Sequence, residues 1–151
     1  MAFTPLDPDF ERRVRTSFAR QAAMGLIGAT MTAVEPGRCI IELPVRGDLT
    51  QQHGFVHGGI VGMIADSAGG YAAYTLMPAD ASVLTVEYKI NMLAPAKGER
   101  LVARGEVLKP GRTLSIVRAD VFAIDAGGEK LIAAMQQTLM VMHGVSDEPR
   151  V

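Results

Sequence analysis

The spacing of apolar and polar residues changes period several times along the chain. Over residues 8–21 the pattern is helical: Phe10, Val14, Ser17 and Phe18 share a face, while Arg12, Arg13, Arg15 and Arg20 fall where they can stay in water. Residues 28–34 and 38–45 read as strands, and Glu35-Pro36-Gly37 between them is turn chemistry, so the pair predicts a β-hairpin. A polar loop covers about 46–56. Residues 57–77 then form one long helical stretch, ended by Pro78. That stretch is apolar or small on every side and holds no Lys or Arg, which predicts a helix buried all round. Four long strands follow. Residues 82–92 alternate, with Leu84, Val86, Tyr88, Ile90 and Met92 on one face and Thr85, Glu87, Lys89 and Asn91 on the other. The remaining strands are 99–109, 113–125 and 129–142. The turns Ala96-Lys97-Gly98, Pro110-Gly111-Arg112 and Ala126-Gly127-Gly128 are short and glycine-bearing, which predicts an antiparallel meander. The tail after His143 is polar and expected to fray.

A long apolar helix needs a surface to wrap it. A strongly curved antiparallel sheet of about six strands supplies one, so the expected class is α+β with a short N-terminal helix in front. Gly58, Gly59, Gly62, Gly69 and Gly70, with Ala65, Ala68, Ala72 and Ala73, let the sheet come close. Each interior glycine costs a helix roughly 1 kcal/mol against alanine, so close approach outweighs helix propensity here. No repeat or linker interrupts the pattern. The expected organisation is a single domain, 1–151, with an N-terminal helical segment 1–27, a core 28–142 and a tail 143–151.

Composition narrows the function classes. The 151 residues are 48% apolar with a net charge of −1, which describes an ordinary globular chain and gives no footprint for nucleic acid. Asp7, Asp9 and Glu11 stand where a signal peptide needs an apolar run, and Asp66 interrupts the most apolar stretch, so neither secretion nor a membrane span is expected. Cys39, the only cysteine, excludes an internal disulfide and a cysteine-clustered metal site, and reads as a small buried hydrophobe. A reducing cytoplasmic location fits.

Asp66 is the first candidate for chemistry. It lies mid-helix among Met63, Ile64, Ala65, Ala68 and Gly69, and the chain has no Lys or Arg between Arg46 and Lys89. Burying a lone carboxylate is costly and raises its pKa. The bland alternative is an Asp that faces solvent or bonds to nearby backbone. The second candidate is His57-Gly58-Gly59, where the loop becomes the helix. First-turn amides have no internal partner and carry partial positive charge, so Gly58 or Gly59 N–H could form an oxyanion hole for a substrate carbonyl. A flexible helix start with a capping histidine is the plain alternative. Gly58 and Asp66 are eight residues apart, about 12 Å along a helix axis, too far for one carboxylate to serve the start of its own helix. If both act on one carbonyl, they come from two chains, most simply a two-fold dimer with antiparallel helices. Gln51, in the preceding loop, can donate and accept, which suits a water or a carbonyl oxygen; by itself it reads as a polar loop residue. Thr85 could orient Asp66 or water, and His53 reads as a loop residue. In Lys109-Pro110-Gly111-Arg112-Thr113 a glycine turn offers amides, a hydroxyl and two charges to phosphate oxygens, although such turns are commonly just solvated.

Taken together, the run from Gln51 to Gly59, Ala65-Asp66-Ser67, Leu93-Ala94-Pro95-Ala96 and Lys109-Pro110-Gly111-Arg112-Thr113 resembles the hot-dog acyl-CoA thioesterases. The nearest subgroup is the phenylacetate-pathway and 4-hydroxybenzoyl-CoA type, and the likeness covers about 28–142. The resemblance implies a hot-dog fold and hydrolysis of acyl-CoA to free acid and CoA. It implies Asp66 as nucleophile or general base, Gly58 as the oxyanion amide with His57 before it, Gln51 beside the thioester and Thr85 assisting the acid. Gly59 and the turn Gly111, Arg112 and Thr113 would meet CoA. No metal or redox cofactor is implied, and the assembly would be a homodimer within a homotetramer. Some relatives of this kind carry Glu where this chain has Asp66, so direct attack and water activation both stay open. A hot-dog hydratase or dehydratase is the weaker enzyme alternative, because Val56-His57-Gly58-Gly59 stands in place of a His-Phe-Pro-Gly run. A non-catalytic acyl-CoA-binding module is the alternative from another class.

Overall fold

The helix expected at 57–77 forms α3, Gly58–Tyr74, and the chain turns through Met77 to Pro78. Its first turn stays partly exposed, but from Val61 onward only Met63 and Asp66 are not fully buried. The computed structural model describes residues 2–148. Before α3 come α1 (Phe10–Ala19), α2 (Ala22–Ile27), strands β1 (Thr30–Glu35) and β2 (Arg38–Pro44), and a single 3-10 turn at Gly47–Leu49. After it come β3 (Ala81–Met92), β4 (Arg100–Lys109), β5 (Leu114–Asp125) and β6 (Gly128–His143). All six strands join one antiparallel sheet in the order β1-β2-β4-β5-β6-β3. The sheet packs its inner face on α3, the hot-dog arrangement that the sequence led us to expect.

Close approach explains the glycines. A Cβ on Gly105 of β4 would lie 2.2 Å from the Ala68 carbonyl oxygen, and one on Gly69 of α3 would lie 1.8 Å from the Gln137 side-chain oxygen. At Gly105 the clash is with backbone and nothing larger than hydrogen fits, whereas at Gly69 an added carbon would have to displace the Gln137 amide. Cys39 is 1% exposed, and burial pushes its thiol up to about 12, so it packs as a hydrophobe.

Four expectations need correction. First, β3 and β4 are not neighbours: only β4-β5-β6 is a meander, and β3 pairs with β6 at the edge of the sheet. The connection is not a three-residue turn but the seven residues 93–99, which cross the ends of β6 and β5 through Leu93 N–H to Ile132 O (2.8 Å) and Glu99 N–H to Ile124 O (2.8 Å). Three strand spacings are about 14 Å, within easy reach of that length. Second, the faces of β3 swap at a bulge between Thr85 and Glu87. Thr85 and Tyr88 therefore point to the same, helix-facing side, whereas a perfect alternation would separate them. Third, Arg13 is not a wet residue. Its guanidinium donates to the carbonyls of Pro78 (2.6 Å), Met77 (2.8 Å), Tyr74 (3.2 Å) and Ala81 (3.3 Å), stacks on the Tyr74 ring and lies 2.9 Å from Asp7. Arg20 stays exposed, as expected, and pairs with Asp147 at 2.9 Å. Fourth, that pair and the Ser82 hydroxyl, 3.3 Å from Asp147, tether the tail that was expected to fray; of the segment 143–151, residues 149–151 lie outside the described residues, as does Met1 at the start of 1–27. The short α2 falls within the N-terminal helical segment expected at 1–27, although the helical pattern itself was read only to about 21.

Candidate active site

Asp66 stands on the one side of α3 that the sheet leaves half open. Its Oδ1 accepts from the Thr85 hydroxyl on β3 at 2.8 Å and from the Gln137 amide on β6 at 2.9 Å. Among the described residues no donor reaches Oδ2, and that atom is not sealed from solvent. Burial raises the pKa of Asp66, and the bonds from Thr85 and Gln137 pull it back in part. The carboxylate opens on a cavity of about 250 Å³ bounded by Thr85, Ser17, Arg20, Tyr71 and Asp147.

The helix start makes a different place. His57 is the N-cap, and its Nδ1 accepts from Gly59 N–H at 2.8 Å. Ile60 and Val61 N–H reach the His57 carbonyl at 2.9 and 3.2 Å. Of the two glycine amides offered by the sequence, Gly59 is thus committed to His57, and Gly58 N–H alone has no protein acceptor among the described residues. Gly58 shares a cavity of about 200 Å³ with Gln51, Phe55, Met92, Ala94 and Pro95. The Gln51 side-chain oxygen accepts from His53 N–H, and among the described residues its NH₂ has no acceptor. His53 serves the loop, as its residue reading suggested.

Gly111 and Arg112 lie in a third cavity, about 370 Å³, near the other end of α3 with Phe3, Leu76, Met77 and His143. Arg112 is exposed and forms no ion pair among the described residues; its carbonyl is 2.9 Å from His143 Nε2. Gly111 cannot carry a side chain, since a Cβ would meet the Leu114 carbonyl oxygen at 2.0 Å. Thr113 is exposed beside it and accepts Val141 N–H through its carbonyl at 2.8 Å.

The nine residues singled out in the sequence therefore fall into separate groups within one chain: Asp66 with Thr85, Gln51 with Gly58 near His57 and Gly59, and Gly111, Arg112 and Thr113 apart from both. Gln137 was missed. Its signal was available: the inward positions of β6 run Ala133, Met135, Gln137, Leu139, Val141, and a glutamine in that series is out of character. Among the described residues no three His, Cys, Asp or Glu side chains gather as a metal site, and no helix is long and apolar enough to cross a membrane.

Comparison with known proteins adds the following. The sequence pattern of the thioesterase superfamily matches residues 53–129. The chain is 50% identical to a thioesterase family protein from Silicibacter pomeroyi, whose crystal structure superposes with a TM-score of 0.88 over 89% of this chain and 99% of that one. It is 32% identical to human acyl-coenzyme A thioesterase 13 over 110 residues, 72% of this chain and 76% of the relative. A Saccharolobus solfataricus protein is 37% identical over 87 residues, 58% of this chain; the match spans only 61% of that relative's own length. The E. coli PaaI protein of the phenylacetic acid degradation operon superposes with a TM-score of 0.81 at 17% identity, over 93% of this chain and 98% of that one, a likeness of fold alone.

Proposed function

Because the chain belongs to the thioesterase superfamily, we propose that it hydrolyses acyl-CoA thioesters to a free acid and CoA. The observation that carries this reading is Asp66: a half-buried carboxylate with Oδ1 held by two neutral donors, Oδ2 open, and a raised pKa. In the base route, Oδ2 takes a proton from water, whose oxygen bonds to the thioester carbon. Negative charge moves to the carbonyl oxygen and is met by Gly58 N–H, with the Gln51 NH₂ beside it. The C–S bond then breaks, and the leaving thiolate takes the proton back from Asp66. In the nucleophile route, Oδ2 bonds to the carbon itself, the C–S bond breaks and CoA leaves as the thiolate. Water then opens the resulting mixed anhydride, which returns the Asp66 carboxylate and the free acid, and a proton released from that water goes to the thiolate. Thr85 fixes the carboxyl in both, and His57 fixes the first turn through Gly59. Single turnover in ¹⁸O-water together with trapping of an acyl-enzyme separates the routes: a covalent acyl group on Asp66, or label carried into Asp66, marks direct attack, and label in the acid with no trapped acyl-enzyme favours base catalysis.

The separate cavities support a composite site. Asp66 and Gly58 open into different spaces of one chain, as the rise of a helix requires, so they meet on one carbonyl only across two chains. The edge strand β3 supports the same reading. It is twelve residues long, has no strand on its outer side among the described residues, and leaves Leu84, Val86 and Tyr88 about half exposed (52, 51 and 49%). Such an edge invites a second copy, and a two-fold dimer through β3 is the simplest cover. In this dimer the helices run antiparallel, and the Gly111, Arg112 and Thr113 turn receives the phosphates of CoA; pairs of dimers then form the tetramer.

The test is thiol release from a panel of aromatic and aliphatic CoA esters, with Asp66→Ala and Gly58→Pro chains assayed singly and mixed. Each variant is expected to be inactive alone, and activity is expected to return in the mixture through one intact site per mixed dimer. No recovery in confirmed mixed dimers sinks the composite site. If no ester turns over while CoA ligands still raise the melting temperature, the protein is a binding module.

A further inference from the structure

Gln137 is a buried polar side chain to which the scheme above gives no step. It is 1% exposed on the inner face of β6, between Met135 and Leu139. Its Nε2 donates to Asp66 Oδ1 at 2.9 Å and lies 3.3 Å from the Asp66 carbonyl oxygen. Its Oε1 is sealed from solvent and has no hydrogen-bond partner among the described residues. That oxygen sits against Gly69, where a Cβ would lie 1.8 Å away, so the helix has given up a side chain to admit it. A leucine or methionine would fill this space with no orphaned oxygen. The orphan is a cost to the fold, and the stabilising end of the amide is the one on Asp66. Rotating the amide would set Oε1 against the carboxylate, acceptor against acceptor, so an ionised Asp66 fixes which way Gln137 points.

We infer that Gln137 is a positioning residue of the thioester site: with Thr85 it pins Asp66 Oδ1 to the sheet and leaves Oδ2 as the oxygen that meets water or the carbonyl. This rests on the reading of Asp66 given above. The inference concerns a different residue, and the two can fail separately. The other titratable groups around the cavity are Arg20 from the end of α1, Tyr71 from α3 and Asp147 from the C-terminal segment, with Arg20 and Asp147 paired at 2.9 Å. From the strands, Thr85 and Gln137 are neutral, and Tyr88 lies further along by Gly62.

Two variants remove the contact by different means. Gln137→Leu deletes the donor, and Gly69→Ala keeps it but pushes the amide aside while favouring the helix. Asp66 is followed by carboxyl ¹³C NMR titration, and kcat and KM for a CoA ester are followed across pH. Both variants are expected to move the Asp66 titration up by about one pH unit and the acidic limb of kcat with it. At the plateau kcat is expected to fall about tenfold, as for one lost bond to a charged group, with KM within about twofold. If Gln137→Leu does not fold, Gly69→Ala carries the test. A folded variant in which the Asp66 titration and the acidic limb are both unmoved overturns the inference, whereas the reading of Asp66 stands so long as Asp66→Asn is inactive. If Asp66→Asn hydrolyses esters normally while Gln137→Leu still moves the titration, Asp66 is not the catalytic acid and the positioning claim falls with it.

Discussion

The two ends of α3 are built in opposite ways. At the C-terminal end, where the last carbonyls of a helix have no partners of their own, Arg13 reaches in from α1 and donates to the carbonyls of Tyr74, the last residue of α3, of Met77 and Pro78 in the connection, and of Ala81, the first residue of β3. The guanidinium is itself held by Asp7 and by the Tyr74 ring. At the N-terminal end, His57 satisfies Gly59, and among the described residues Gly58 N–H is left without an acceptor beside a cavity. One end is finished by the chain. The other is one acceptor short, at the place where the positive end of the helix dipole would favour an oxyanion. On the proposed reading of Gly58, stability and chemistry are separated along a single helix, and substitutions at the two ends should separate them too.

The largest effect is expected from Arg13→Met. It removes four carbonyl bonds and leaves Asp7 buried without its partner, a loss of about 3–5 kcal/mol of the kind seen when a buried ion pair is broken. At roughly 2–4 °C per kcal/mol the melting temperature should fall by about 10 °C. Where the variant is still folded, kcat should stay close to the parent value. A parental melting curve would show that the cap contributes little.

Gly58→Pro is the complementary change. Proline suits the first position of a helix, and His57 already has the extended conformation that a residue before proline needs (φ −59°, ψ 137°). The substitution deletes the free N–H and little else; the Met92 methyl, 3.3 Å from the added Cβ, is the flexible end of a side chain. Stability should change by less than about 1 kcal/mol, while turnover should fall by about 10² to 10³, the usual cost of one oxyanion donor. Unchanged turnover in a folded Gly58→Pro protein would mean that the carbonyl binds elsewhere.

This contrast also marks what the sequence could show. The buried helix was legible because no polar or charged stripe runs along residues 57–77 except at Asp66, and the lone carboxylate stood out for the same reason. The rise of a helix alone separated Gly58 from Asp66. The Arg13 cap was not legible, since an arginine on the polar side of a short helix looks solvated until the fold brings Tyr74 and Pro78 to it from more than sixty residues away. Nor was the bulge at Thr85 and Glu87: residues 82–92 alternate so cleanly that nothing signals the change of face which turns both Thr85 and Tyr88 toward the helix. Strand order was misjudged because short glycine turns suggest neighbours, and the crossing segment 93–99 carries no mark except Pro95 and its length.

His57→Ala should have a smaller effect than either change above. Losing the acceptor for Gly59 N–H costs about 1 kcal/mol, as for other N-caps, and is read from urea unfolding. Turnover should fall less than in Gly58→Pro, because Gly58 keeps its amide. An equal or greater loss of turnover would show that the imidazole touches the substrate itself.

The smallest expected effect has the opposite sign. Burial raises the Asp66 pKa above its ordinary value of 3.8, so between that value and the raised one the folded state binds more protons than the unfolded chain. Stability therefore falls as pH rises through this window, and above it the full cost of keeping the buried carboxylate ionised is present. Asp66→Asn removes that cost while an amide oxygen can still accept from Thr85 and Gln137, so at neutral pH the variant should be slightly more stable than the parent and nearly inactive. The gain should shrink as the pH is lowered toward 3.8, where the parent carboxyl takes up its proton. Paired denaturation curves from acid to neutral pH measure this directly. A constant difference across that range would show that Asp66 titrates alike in the folded and unfolded chain, and that the mid-helix carboxylate costs the fold nothing.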